Sequence, residues 1–293
     1  MAPVDDLAPQ HPLPPWAGLS LRDLWRRPLP AIGGPLERTV LRAVATLARH
    51  QVADIDRWEL VLPERDPFIL VANHGSRRET VYLAAALMLA RGGRPVHFLA
   101  DWNFRLIPGV GWFYAHAGVI TVTRKDARPR VLNRLKPWFL CATPAMAQAR
   151  ERLVAGGSVA LFPEGTVNRD PRRLLRGRFG AARLSLETGV PVVPVGIRLR
   201  GRTADNLPSD PGSPMSIQIG APLRPPGSGP APAAGEALAL AEVRAWHAEI
   251  MTAIARLCGK HWSWDAAPAA QRGLAILPTP SQPRALGPGG PWC

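Results

Sequence analysis

From Trp58 to about Leu199 the chain alternates short apolar runs with stretches of helical spacing, and this alternation restricts the fold more than any other feature. The apolar runs are WELVL (58–62), FILVANH (68–74), VHFLA (96–100), VITVT (119–123), SVALFPEG (158–165) and VPVVPVGIRL (190–199), each closed by a turn signal. Between them, Glu79 to Ala90, about Phe104 to Tyr114, Pro144 to Val154 and Gly180 to Thr188 read as helices. Short apolar strands separated by helices predict an α/β fold, a mixed, mostly parallel sheet covered by helices on both faces. SIQIG (216–220) predicts one further strand.

Outside this block the organisation is simpler. Residues 1–34 begin Pro-rich and without periodicity, and read as a flexible N-terminal lead. Residues 35–50, PLERTVLRAVATLARH, predict an N-terminal amphipathic helix, with Pro35 suited to its first turn. Leu36, Val40, Leu41, Val44, Leu47 and Ala48 form its apolar stripe, and Arg38, Arg42 and Arg49 flank it. Such a helix suits a membrane surface or the domain's own core equally well. The main domain is expected over 35–220, a Pro/Gly/Ala linker over 221–235, a C-terminal helix within 236–260 and a disordered tail over 261–293.

The net charge of +14 is localised. Segments 22–49, 124–136 and 169–183 each carry six basic residues, and together they account for the whole excess. Clustered cations attract anionic partners such as lipid headgroups or substrate phosphates. Nothing resembles a stacking platform or a helix-turn-helix, so nucleic acid is not an expected partner. No apolar run reaches the roughly 18 residues of a bilayer crossing, and the start of the chain lacks a secretory h-region. Three widely separated cysteines offer no C-x-x-C metal pair. The expectation is a cytoplasmic protein, peripheral on the inner face of the cell membrane.

Four short motifs carry candidate chemistry. His74, in NHGSRRE after FILVA, stands at the carboxyl end of a strand, where open α/β sheets place ligands. Glu79 follows five positions later. Within one helix that spacing sets side chains about 140° apart, so the two meet only if His74 precedes the helix and the carboxylate reaches back. A paired carboxylate would fix the imidazole's tautomer and stabilise the imidazolium formed on proton abstraction. Phe162-Pro163-Glu164-Gly165-Thr166 ends the SVALF strand, with Glu164 expected to point into the same crevice and Thr166 to cap or bind a polar headgroup. GVITVTR ends in Arg124, whose guanidinium suits a phosphate. The prolines of VPVVPVGI suggest a sheet edge or the wall of an apolar groove. Singly, each motif is also compatible with a purely structural role.

In this order the four blocks resemble the glycerolipid acyltransferase family, which includes the 1-acylglycerol-3-phosphate acyltransferases. The family's N-H-x-x-x-x-D is represented by His74 with Glu79 in the acid's place, its G-x-I-x-x-x-R by GVITVTR, and its F-P-E-G-T by Phe162 to Thr166 in full. Its V-P-V-x-P-V is represented by Val190 to Val195. The resemblance implies that His74, oriented by Glu79, deprotonates an acceptor hydroxyl for direct attack on the thioester of acyl-CoA or acyl carrier protein. It implies that Arg124, Glu164, Gly165 and Thr166 bind a lysolipid acceptor, most directly 1-acylglycerol-3-phosphate, with no metal or bound cofactor. A non-catalytic, basic membrane-binding protein of the same fold is the alternative. The stretch Lys125 to Thr143 is longer than the family's usual link, and its Trp138 and Phe139 are expected to touch the membrane, cover the site or pack as an insertion.

Overall fold

The computed structural model describes residues 19–107, 109–127, 129–199, 213–227 and 238–265. In chain order the elements are α1 (Leu21–Arg26), α2 (Pro35–Gln51), β1 (Val52–Asp56), β2 (Ile69–Ala72), α3 (Glu79–Ala90), β3 (Val96–Asp101), α4 (Val110–His116), β4 (Ile120–Val122), α5 (Ala145–Val154), β5 (Ser158–Leu161), α6 (Gly180–Thr188), β6 (Val192–Leu199), β7 (Met215–Ile219) and α7 (Leu240–Cys258). The sheet runs β1-β7-β6-β2-β5-β3-β4. β6, β2, β5, β3 and β4 are mutually parallel, and β7 turns antiparallel to β6. The expected mixed, mostly parallel sheet between helices is therefore what this sequence forms.

Each central strand divides its side chains between two cores, because successive residues of a strand point to opposite faces. Leu70 and Ala72 join one core with α2 and α3, while Ile69 and Val71 join the other with α5, α6 and α7. Ala160 divides from Val159 and Leu161 in the same way. Helix α3, ETVYLAAALMLA, is apolar almost all round and buried almost all round, as a helix enclosed between sheet and outer helices must be.

Several expectations change. WELVL is not a strand: Trp58–Val61 is one turn of 3-10 helix. The edge strand is instead β1, which leaves the last turn of α2 directly, Val52 being that helix's C-cap. Of the expected lead, residues 1–18 lie outside the described residues, but 19–34 are structured. Ser20 caps α1, and Leu19, Leu24 and Leu29 are buried in the core. The stripe of α2 is divided: Leu41 and Ala48, with Ala45 beside them, are buried in the core, while Leu36 and Leu47 are exposed. Its arginines tie down neighbouring chain, Arg38 donating to Ile32 O and Arg42 to Arg27 O.

The expected helix at 104–114 divides into a 3-10 segment, Trp102–Leu106, and α4. The long link after β4 forms a 3-10 segment, Arg130–Phe139, whose Leu132, Leu135 and Phe139 pack on Trp102 and Ala127. It is a packed insertion, although Trp138 remains 69% exposed. Within the expected linker, Leu223 exchanges two backbone hydrogen bonds with Val192, while 228–235 lie outside the described residues. Of the expected tail, 261–265 are docked and 266–293 lie outside. No helix among the described residues is long and apolar enough to cross a membrane.

β6 is a central strand, not an edge, and its one proline, Pro194, sits where its missing N–H group is not needed. The partner strand is interrupted beside Pro194: β7 ends at Ile219, and Gly220 donates to the Pro194 carbonyl before Leu223 takes up Val192.

Candidate active site

Strand order positions the site. β2 lies between β6 and β5, so the turn after β2, which carries His74, stands beside the turn after β5, which carries Glu164. Asn73 fixes the first turn by imitating a backbone: its Nδ2 donates to Ile197 O (2.9 Å) and its Oδ1 accepts from Ile197 N (2.7 Å). Residues 74–78 precede α3, and Glu79 is that helix's first residue. The acid thus reaches back as its spacing requires. Its carboxylate, wholly buried, lies 2.8 Å from His74 Nδ1 and accepts from the amides of Gly75 (3.0 Å) and Ser76 (2.9 Å).

This accommodates the extra methylene of Glu relative to Asp, since the longer side chain folds over the 75–76 turn and collects two amides with the imidazole. A Cβ at Gly75 would come within 3.2 Å of the carboxylate, so the turn has little room for any other residue. Burial pushes the Glu79 carboxyl above its ordinary value, against the opposing pull of His74 and the two amides. The imidazole stacks on Phe162 at 4.3 Å and 22°. With Nδ1 committed to the carboxylate, Nε2 keeps its lone pair and makes no hydrogen bond among the described residues. The pair can therefore accept a proton at Nε2.

Glu164, expected to point into the crevice, has its carboxylate buried against donors of the two turns. One oxygen accepts the His74 amide (3.0 Å), and the other accepts Asn168 Nδ2 (2.7 Å) and the Leu175 amide (2.9 Å). It is 6% exposed, and burial raises its pKa against those same donors. The Asn168 amide returns a bond to His74 O (2.7 Å), so both backbone groups of His74 are held by the loop after β5. Asn73 opens the NHGSRRE motif, whereas Asn168 is not picked out by the sequence, and nothing but its nearness to the FPEGT block could have marked it.

Gly165 takes a φ of 65°, a left-handed turn that glycine makes without strain. The Arg178 guanidinium lies over it, with Nε only 2.6 Å from where a Cβ would stand. Thr166 is exposed beside it. Arg124 is exposed beyond the end of β4, at the far edge of the sheet. It is its neighbour Lys125 that reaches across, Nζ donating to Gly165 O at 2.6 Å. Partial burial lowers the Lys125 pKa against the pull of Asp101, and the charges of Arg178 and Arg77 lower it further. None of Arg77, Arg124, Lys125 or Arg178 forms an ion pair among the described residues. Arg77, Lys125 and Arg178 thus lie near one another on the side of the Gly165 turn, an arrangement suited to phosphate oxygens.

The site is thus a His–Glu pair at the carboxyl ends of the parallel strands of an α/β sheet, with Lys125 and Arg178 at the neighbouring Gly165 turn. Residues 57–198 match the Acyltransferase family model. Over that span, just under half of its length, the chain is similar to that family. It is 31% identical over 142 residues to the chloroplastic 1-acyl-sn-glycerol-3-phosphate acyltransferase BAT2 of Brassica napus, covering 48% of this chain and 36% of that protein. It is 30% identical over 151 residues to a 1-acyl-sn-glycerol-3-phosphate acyltransferase of Chlamydomonas reinhardtii, covering 52% and 40%. The chain thus spans well under half the length of these relatives. The crystal structure of the 1-acyl-sn-glycerophosphate acyltransferase PlsC from Thermotoga maritima aligns with a TM-score of 0.48 at 22% identity, over 80% of this chain and 86% of that one.

Proposed function

We propose that this protein is an O-acyltransferase that moves a fatty acyl group from acyl-CoA or acyl carrier protein to the free hydroxyl of a lysophospholipid, 1-acylglycerol-3-phosphate first among acceptors. The observation that carries the proposal is the 2.8 Å His74–Glu79 pair with Nε2 left to the crevice. The names of the relatives support the choice of acceptor. The acceptor O–H gives its proton to Nε2 as its oxygen bonds to the thioester carbonyl carbon. The tetrahedral intermediate then collapses, the C–S bond breaks, and the imidazolium returns the proton to the departing sulfur. General-base catalysis of this kind contributes on the order of 10²–10⁴ in rate.

Lys125, Arg178, Arg77 and Arg124 would receive the acceptor phosphate, and the turn at Gly165 and Thr166 would line that side. The basic surface also suits attachment to an anionic membrane face, where lysolipids reside. The test is incubation of the full chain with acyl-CoA, and separately with acyl carrier protein, against a panel of lysolipids, with product read by mass spectrometry. Diacyl product that disappears in His74→Ala establishes the reaction. Free thiol without acylated lipid, or no turnover with either donor, rejects it.

A further inference from the structure

Between the end of β5 at Leu161 and the start of α6 at Gly180 the chain has no regular helix or strand, yet this loop supplies every partner of Glu164 except the His74 amide. A loop of such length costs conformational entropy to order and stays mobile unless something holds it. What holds it is chain beyond the family match. His261 pairs with Arg173 as a parallel bridge: the His261 amide donates to Arg172 O (2.7 Å), and the Leu174 amide donates to His261 O (2.9 Å). Lys260 Nζ donates to Asp170 O (2.6 Å), while the Asp170 carboxylate accepts the Arg172 and Arg173 amides.

One step further, Trp262 Nε1 and the His247 ring nitrogen both reach Arg176 O. The Trp264 ring takes the guanidinium groups of Arg176 and Arg244 at 5.3 and 5.2 Å. Asn168 joins this fastening to the site. Its Nδ2 bonds both Glu164 and Arg173 O, and its amide holds His74 O.

We infer that Lys260–Trp264 is a clamp that positions His74, acting through the Asp170–Arg176 loop, Asn168 and Glu164. On this inference Glu164, Asn168, Trp262 and Trp264 are positioning residues for the reaction proposed above and touch no substrate. The imidazole then has two independent constraints. Glu79 sets its ring nitrogen, and the clamped loop sets the backbone from which the ring projects. Reaction rate is sensitive to such placement, since a shift of about 1 Å can cost on the order of 10²-fold.

The test uses the full chain with Trp262→Ala/Trp264→Ala, and with Asn168→Ala, read by amide hydrogen exchange and by steady-state kinetics. Opening of the clamp should speed exchange at Leu175, Asn168 and His74 by roughly tenfold while the core strands keep their protection. It should lower kcat by roughly tenfold with the acceptor KM unchanged, and Trp264→Phe, which keeps an aromatic face, should stay near wild type. Exchange unchanged at His74 overturns the inference, because the clamp would then end at the loop. A rise in acceptor KM at constant kcat also overturns it, because the loop would be binding substrate instead. The exchange measurement requires no substrate, so it decides the clamp even if the acyl transfer proposed above fails.

Discussion

Glu79 and Glu164 make a revealing pair. Both are buried, both accept two backbone amides and one side-chain donor, and burial raises the pKa of each. They differ in what they hold. Glu79 takes Gly75 and Ser76, one turn away in its own loop, and adds the imidazole. Glu164 takes the amide of the same histidine from across the sheet, together with Asn168 and Leu175 of its own loop. One acid orients the ring and the other anchors the main chain beneath it. Two motifs separated by 90 positions are therefore a single mechanical unit, and the comparison predicts that their losses will look different.

The largest effect should come from the ring side. His74→Ala removes the base and should lower kcat by on the order of 10²–10⁴. Glu79→Ala should approach it, because the tautomer is no longer fixed and the buried Gly75 and Ser76 amides lose their acceptor, at about 1–3 kcal/mol of stability. Steady-state kinetics with a thermal melt checks both. A Glu79→Ala enzyme within twofold of wild type would mean that the imidazole is oriented by Phe162 stacking alone.

The backbone side should give less. Glu164→Gln keeps the shape but loses one acceptor, and its NH2 group opposes a donor. We expect kcat to fall by about tenfold with the acceptor KM within twofold, on the scale of one charged hydrogen bond at roughly 1.5–3 kcal/mol. A KM effect instead would return Glu164 to the substrate-binding role its motif first suggested. Smaller again, and confined to phosphate-bearing acceptors, should be Lys125→Met and Arg178→Met. Each should raise KM by several-fold, as removal of one exposed cationic contact to phosphate does. An acceptor lacking the phosphate should be unaffected, and equal losses for both acceptors would remove these cations from recognition.

How much of this can be seen in the sequence depends on where a residue's partners lie. β2, β5 and β6 are legible because strands buried on both faces must be apolar throughout, and His74 and Glu79 because their partnership is local. β1 is not, since an edge strand with two acids, VADID, coming after a helix without a turn residue, carries no signal of its own. WELVL is a short apolar run as a buried strand would be, but Arg57 enters a left-handed turn and Trp58–Val61 coils as a 3-10 turn instead. Glu164 stands out in the sequence, yet its role does not. Its partners His74 and Leu175 offer main-chain amides, which leave no trace in side-chain chemistry. Trp262 and Trp264 read as part of a tail because Pro and Gly dominate residues 266–293, and their docking onto the Arg176 loop depends on contacts far along the chain.

The smallest predicted effect bears on the charge state of the ring-side pair and is read by stability rather than by rate. Burial raises the folded-state pKa of Glu79 above its unfolded value, which for a free Glu is about 4.3. A raised carboxyl contributes stability that is fully present below the unfolded value, where both states are protonated and the native state holds the proton more tightly. That contribution is lost as pH rises through the folded value. Glu79→Gln is neutral at every pH and has no such dependence, although it is destabilised throughout by the mismatch of its NH2 group with the Gly75 and Ser76 amides. The stability of wild type minus that of Glu79→Gln, from urea midpoints, should therefore fall as pH rises from about 4 toward neutrality. If the difference grows instead, the imidazole and the two amides outweigh burial.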